Sequence, residues 1–163
     1  MSDPDSDAPA LLGIDLGSRR IGIAIAESPD GGARPLVTVP RRADPAADAL
    51  ALAELIRRHS VGTLVVGLPL EAAGAEGPMA IEARTWAAAI GERLGLPVVL
   101  RDERLSSHVA EGRLAPPRRG RSGGPPSRSQ RAAYRARVDR EAASVILQDE
   151  LDARSAGRPG SEP

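Results

Sequence analysis

The sequence predicts an α/β domain in which a mixed five-stranded sheet is flanked by helices. Two observations carry this. Three short apolar segments between residues 11 and 39 follow one another with only turn residues between them, as an antiparallel meander does. After them, helical segments alternate with apolar strands, the pattern that joins parallel strands through helices. The predicted order is β-β-β-α-β-α-β-α-α.

Each element has its own signal. Leu11 to Leu16 is a short apolar run that reads as a buried strand, and Gly17-Ser18 supplies the turn after it. From Ile21 to Ala26 isoleucine alternates with glycine or alanine. One face then carries Ile21, Ile23 and Ile25, and the other carries only Gly22, Ala24 and Ala26, which lets a helix pack closely. Asp30-Gly31-Gly32 turns the chain into a third strand, Leu36 to Val39. Asp44 followed by Pro45 marks a helix start, with the helix running to about His59. Thr63 to Leu68 is a buried strand. Pro78 starts a second helix that stops at Gly95, with Pro97 beyond it. Val98 to Leu100 is the fifth strand and Leu105 to Leu114 a short helix. Ala115 to Ser129 holds little besides Pro, Gly, Arg and Ser and reads as a loop. A final helix is expected from about Arg131 or Val138 to Asp152.

The organisation is therefore one domain over residues 10–152, containing an Arg-rich loop at 115–130 that is expected to be flexible. Polar tails at 1–9 and 153–163 are expected to be disordered. The 163 residues suffice to bury a real core. That core must be built from Leu, Ile, Val and Ala, because Trp86 and Tyr134 are the only aromatic residues. With no cysteine, disulfides and thiolate metal sites are excluded. No stretch approaches the ~20 apolar residues of a membrane span, and the acidic start has no signal-peptide pattern, so a cytoplasmic protein is expected.

Net charge is zero, yet the charges are segregated. Between Gly112 and Val138 there are eight arginines and no acidic residue. Such a segment is either a solvated loop or an electrostatic arm for a phosphate backbone, with Arg118, Arg119 and Arg121 at its centre. Tyr134 lies within it, placed to stack on a base.

Three carboxylates stand out. Asp15 lies inside an apolar run, where a charge is costly unless it is paired, hydrogen-bonded or bound to a cation. Glu103 follows the fifth strand, at the end where open α/β sheets place their ligands. Asp139 is read as opening the last helix, where the macrodipole favours a negative charge. Each has a plainer reading: a turn Asp bonded to backbone amides, a solvated ion pair within Asp102-Glu103-Arg104, and a helix-start residue. Arg20 and Arg104 are candidates for phosphate contacts or, equally, for structural ion pairs.

Four ordered blocks tie these residues together. They are Gly13-Ile14-Asp15-Leu16-Gly17-Ser18-Arg19-Arg20-Ile21-Gly22-Ile23-Ala24, Val65-Val66-Gly67-Leu68-Pro69-Leu70 continuing to Gly74-Ala75-Glu76-Gly77-Pro78, Val99-Leu100-Arg101-Asp102-Glu103-Arg104-Leu105-Ser106-Ser107, and Val138-Asp139-Arg140-Glu141-Ala142-Ala143 with Ile146-Leu147-Gln148-Asp149. In these blocks the chain resembles the pre-16S rRNA nuclease family, the Holliday-junction-resolvase-like branch of the ribonuclease H superfamily. The resemblance covers Leu11 to Asp152. The loop between Leu114 and Val138 is longer than in compact members.

The resemblance implies a ribonuclease-H-like fold and a metal-dependent nuclease. Asp15, Glu103 and Asp139 would be its catalytic metal ligands, Mg²⁺ or Mn²⁺ its cofactor and ribosomal precursor RNA its partner. It implies cleavage leaving a 5′-phosphate and a 3′-hydroxyl. Branched DNA is the alternative substrate, and the oligomeric state is a monomer or a dimer. Two other readings compete. The first block is also similar to the phosphate loop of actin-like and sugar-kinase ATPases, but these need a second large domain and a second phosphate loop. A non-catalytic nucleic-acid binder is the other, and it has no need to gather carboxylates near phosphates.

Overall fold

The computed structural model describes residues 8–71, 73–103, 106–117, 119–120 and 122–157. The elements follow in the predicted order: β1 (Ala10–Leu16), β2 (Arg20–Ala26), β3 (Arg34–Pro40), α1 (Pro45–His59), β4 (Val61–Leu68), α2 (Pro78–Leu94), β5 (Val98–Asp102), α3 (Ser106–Arg113) and α4 (Arg128–Ala156). The sheet order is β3-β2-β1-β4-β5. β1 pairs antiparallel with β2 and parallel with β4, so the change from meander to parallel crossovers occurs at the central strand.

The punctuation read from the sequence acts as expected. Asp44 caps α1, accepting from the Ala46 N–H at 2.9 Å, with Pro45 in the first turn. Gly95 ends α2 in the left-handed region at φ 65°, and its N–H donates to the Gly91 carbonyl.

Strand alternation sorts the core onto the two faces of the sheet. Leu12, Ile14, Ile21, Ile23, Leu64 and Val66 pack with Leu52 of α1 and with Trp86 and Ile90 of α2. On the other face Leu11, Ala24, Ala26 and Val65 meet Ala143, Ile146 and Leu147 of α4. The small face of β2 does what its residues predict. A Cβ added at Gly22 would overlap the Asp139 carbonyl, and one at Gly13 would stand 2.6 Å from both the Ala143 carbonyl oxygen and the Leu147 Cβ. Helix α4 therefore lies almost on the backbone of β1 and β2.

One buried carboxylate inside α1 has no signal in the sequence. Asp48 is 1% exposed and accepts from Trp86 Nε1 at 3.0 Å and from the Arg42 N–H at 2.8 Å. It ties α1 to α2.

The last helix differs from expectation at both ends. It begins at Arg128, not Arg131 or Val138, because Ser127 and Gln130 form a reciprocal capping box. The Ser127 side chain accepts from the Gln130 N–H, and the Gln130 side chain accepts from the Ser127 N–H at 2.7 Å. At the other end α4 continues through Ala156, into the stretch read as a disordered tail. Arg154 Nε donates to Glu150 Oε1 at 2.9 Å across one turn, and Leu151 is buried. Residues 1–7 and 158–163, the remainder of the expected tails, lie outside the described residues.

Candidate active site

Three elements deliver the three carboxylates to one end of the sheet. Asp15 is on β1, opposite Gly22 of β2, and by strand alternation it shares the α4 face with Leu11 and Gly13. Glu103 is the first residue beyond β5. Its N–H donates to the Leu68 carbonyl at 3.1 Å, which holds it against the end of β4. The missing side chain of Gly67 makes room for it: a Cβ there would lie 2.5 Å from Glu103 Oε2. Asp139 descends from α4 directly over Gly22.

The Asp15 and Glu103 side chains are hydrogen-bonded to each other. Burial pushes the Asp15 carboxyl from its usual 3.8 up to about 6; the hydrogen bond with Glu103 opposes this, and the negative charge of Asp139 adds to it. Asp139 is thus near enough to act on Asp15 electrostatically.

Its own carboxylate is engaged elsewhere. Arg20 Nε donates to Asp139 Oδ2 at 2.6 Å, with the two side chains 33% and 21% exposed. The dipole argument for a charge at this position therefore needs correction. Asp139 does not open the helix but lies eleven residues past its start at Arg128, so the amino-terminal dipole does not reach it. A guanidinium stabilises it instead. Arg20 itself follows a tight turn closed by the Gly17 N–H on the Arg20 carbonyl at 2.9 Å. Arg41 braces that turn, donating to the Gly17 carbonyl at 3.0 Å and pairing with Glu82 at 2.7 Å.

Among the described residues the donor set is three carboxylates with Arg20 paired to one of them. Hard oxygen ligands with excess negative charge suit Mg²⁺ or Mn²⁺. Burial is the main cause of the raised Asp15 carboxyl, with the nearby Asp139 charge adding to it, and a bound cation would offset both. The residues therefore fit a divalent ion in kind. In position they are one step short. Among the described residues no three His, Cys, Asp or Glu stand together as a set able to hold an ion, and Asp139 is bonded to Arg20.

From Arg20 and Asp139 a cleft of about 280 Å³ opens along α4. Pro117 and Glu111 form part of its wall, and Arg131, Tyr134, Arg135 and Val138 line it from the helix. Arg131 and Arg135 belong to the basic segment, but nothing in the sequence sets them apart from its other arginines. Their spacing of four places them on one helix face, a signal that becomes visible only once the helix is known to start at Arg128. Tyr134 is partly buried beside Ala110, Val138 and Ala142, and the Arg137 guanidinium lies 5.7 Å from its ring centre. Arg119 is exposed, and its carbonyl accepts from Gln130 Nε2 at 3.3 Å. The other arginines expected to contact substrate, Arg104, Arg118 and Arg121, lie outside the described residues.

Among solved structures, that of Thermus thermophilus RuvC in complex with a Holliday junction substrate is similar. It has a TM-score of 0.50 and 15% identity, covering 90% of this chain and 96% of that one. At this identity the likeness concerns the fold, which is the ribonuclease-H-like one expected. Sequence relatives are much nearer. A protein of Anaeromyxobacter dehalogenans (strain 2CP-C) named "Putative pre-16S rRNA nuclease" is 48% identical over 88% of this chain and 97% of its own length. One of the same name from Pelotomaculum thermopropionicum is 36% identical over 93% and 91%. The RuvX family, described as Holliday junction resolvase, matches residues 9–153. The match takes in both ends of the carboxylate cluster, from β1 to α4, and the chain belongs to the RuvX family.

Proposed function

We propose that this chain is a metal-dependent nuclease, with Asp15, Glu103 and Asp139 holding Mg²⁺ or Mn²⁺. Its substrate is cytoplasmic precursor ribosomal RNA, cut in maturing the 5′ end of the small-subunit RNA. The observation that carries the reading is the approach of three carboxylates from β1, the end of β5 and α4, with Arg20 paired to the third. The names of the relatives supply the substrate class.

Each residue has a task in this reading. Asp15 and Glu103 offer carboxylate oxygens from the rigid sheet, while Asp139 offers its own from the helix. A divalent cation held by them would neutralise charge on the phosphate and acidify a nearby water. Arg20, 33% exposed and lining the cleft, has guanidinium N–H groups to give a phosphate oxygen. Arg131 and Arg135 extend the positive charge along the cleft, where a strand's neighbouring phosphates would run. In the reaction a water oxygen bonds to phosphorus as the P–O3′ bond breaks. The strand ends are then a 5′-phosphate and a 3′-hydroxyl, the latter having taken up a proton.

A second reading keeps the site and changes the substrate to a four-way DNA junction. The description of the matching family favours it. One experiment separates the two: incubation of precursor ribosomal RNA and of a synthetic junction, side by side, with Mg²⁺, Mn²⁺ or EDTA. The expected result is metal-dependent cutting of the RNA by the wild type. Glu103→Gln and Asp139→Asn should each be slower by roughly a hundredfold or more, the equivalent of the several kcal/mol a metal site contributes to the transition state. Paired cuts in the junction with untouched RNA would establish the second reading. Undiminished Mg²⁺-dependent cleavage by Asp139→Asn would remove that residue from the site.

A further inference from the structure

The ion pair between Arg20 and Asp139 has a consequence for the order in which the site assembles. Resting on the nuclease reading above, we infer that Arg20 is a substrate-operated latch. It holds Asp139 away from the metal until a phosphate of the bound strand draws the guanidinium off.

Three observations converge on this. First, Asp139 gives an oxygen to Arg20 at 2.6 Å, and among the described residues no metal-holding set of three is formed, although Asp139 lies over Gly22, the residue paired with Asp15 in the sheet. The third ligand is at hand but engaged. Second, Arg20 is not sealed in. Its side chain is 33% exposed and, with Asp139, it lines the same cleft as Arg131 and Arg135. A single strand lying on those two arginines meets Arg20 next. Third, the chemistry of exchange is favourable. A phosphate diester offers two oxygens in the geometry a guanidinium prefers, so Arg20 exchanges one anion for another and is never left unpaired. Asp139, once released, has the Asp15–Glu103 pair and its cation as the alternative partner.

A nuclease built this way does not complete its site before the strand arrives. The bare protein holds the cation through two carboxylates, and the full set of ligands forms only with substrate in the cleft. Arg20 is accordingly a positioning residue for Asp139 as well as a phosphate contact.

The test uses the full chain and two titrations that need no catalysis. Mn²⁺ binding is followed calorimetrically in the absence of nucleic acid. Binding of a fluorescent 12-nucleotide single strand is followed separately in EDTA. The proteins are wild type, Arg20→Met, Arg20→Lys, Asp139→Asn and the double variant Arg20→Met/Asp139→Asn. The latch predicts that Arg20→Met binds Mn²⁺ roughly fivefold more tightly, the size expected when a half-exposed ion pair no longer competes. It also predicts that Arg20→Met binds the strand more weakly. Arg20→Lys, which keeps the charge without the planar fork, should lie between.

The double variant separates release of Asp139 from the bare removal of a positive charge. The bare charge effect persists when Asp139 is already Asn, whereas the latch effect does not. A gain in Mn²⁺ affinity that is equal in both backgrounds overturns the latch. So does a parallel loss of metal and strand affinity, which marks a purely structural pair. Either result leaves the nuclease reading standing if the wild type still cuts RNA with Mn²⁺. Absence of any metal-dependent cutting would instead remove the reading on which the latch rests.

Discussion

Removing the charge of Asp15 should make the metal-free protein more stable, and by an amount that depends on pH. In the folded chain the Asp15 carboxyl sits at about 6, above its usual 3.8. At about 1.36 kcal/mol per pKa unit, forcing it to ionise in the fold costs about 3 kcal/mol. The sign follows from proton counts. Below pH 3.8 the group is protonated both folded and unfolded, and no cost arises. Between 3.8 and about 6 the folded state binds more protons than the unfolded one, so stability falls as pH rises. Above about 6 the whole cost is present.

Asp15→Asn deletes this dependence and keeps a side-chain oxygen that can accept from Glu103. In EDTA at pH 7.5 the variant should therefore exceed wild type by about 2–3 kcal/mol, or roughly 4–12 °C in Tm, and the two should converge near pH 4. The assay is urea unfolding across that range, repeated with excess Mg²⁺. The cation should stabilise wild type and leave Asp15→Asn nearly unmoved. A variant no more stable than wild type at pH 7.5 in EDTA would mean that Asp15 is not held against its charge, and the electrostatic case for a cation there would fall with it.

Other perturbations probe the frame around the site. Gly22→Ala places a methyl against the Asp139 carbonyl and must lift α4; a loss of about 1–3 kcal/mol on thermal unfolding is expected, together with slower cleavage. Asp48→Ala strands the buried Trp86 indole N–H and the Arg42 N–H, and unfolding by urea should show a loss of about 2–3 kcal/mol with the cleavage chemistry untouched. Replacing Arg118, Arg119 and Arg121 together by Ser should weaken strand binding at low salt. It should also reduce the slope of log affinity against log salt by about 0.7 for each phosphate no longer neutralised; an unchanged slope would assign backbone binding to other arginines.

Most of the fold was legible because its boundaries are set by local chemistry. Asp44-Pro45, Pro78 and Gly95 act through a few neighbouring atoms, and the alternating β2 segment declares its small face without knowing what will cover it. The start of α4 is illegible for an equally physical reason. Ten residues of that helix, from Arg128 to Arg137, are polar or small and carry no apolar stripe, so periodicity begins only at Val138. The Ser127/Gln130 capping box is the available signal, hidden among prolines and glycines.

The candidate site divides in the same way. Asp15 betrays itself as a charge in an apolar strand and Glu103 as the residue beyond another. Asp139 looks ordinary alone, and the dipole argument does not apply to a residue in the helix interior. Its pairing with Arg20 joins residues 119 apart in the chain and depends on α4 resting on Gly22, which no local pattern encodes.

The length of α4 also divides the molecule mechanically. At about 1.5 Å per residue its 29 residues make a strut roughly 44 Å long. No glycine or proline interrupts it between Arg128 and Asp139, so no hinge separates the cleft arginines from the carboxylate. A strand gripped by Arg131 and Arg135 is thereby fixed relative to Asp139, whatever the helix does as a whole. Asp15 and Glu103 belong to a different rigid piece, the sheet and its end. The Asp139 carbonyl sits on Gly22 itself, so the seat of the strut is also the point at which that residue is held against the sheet.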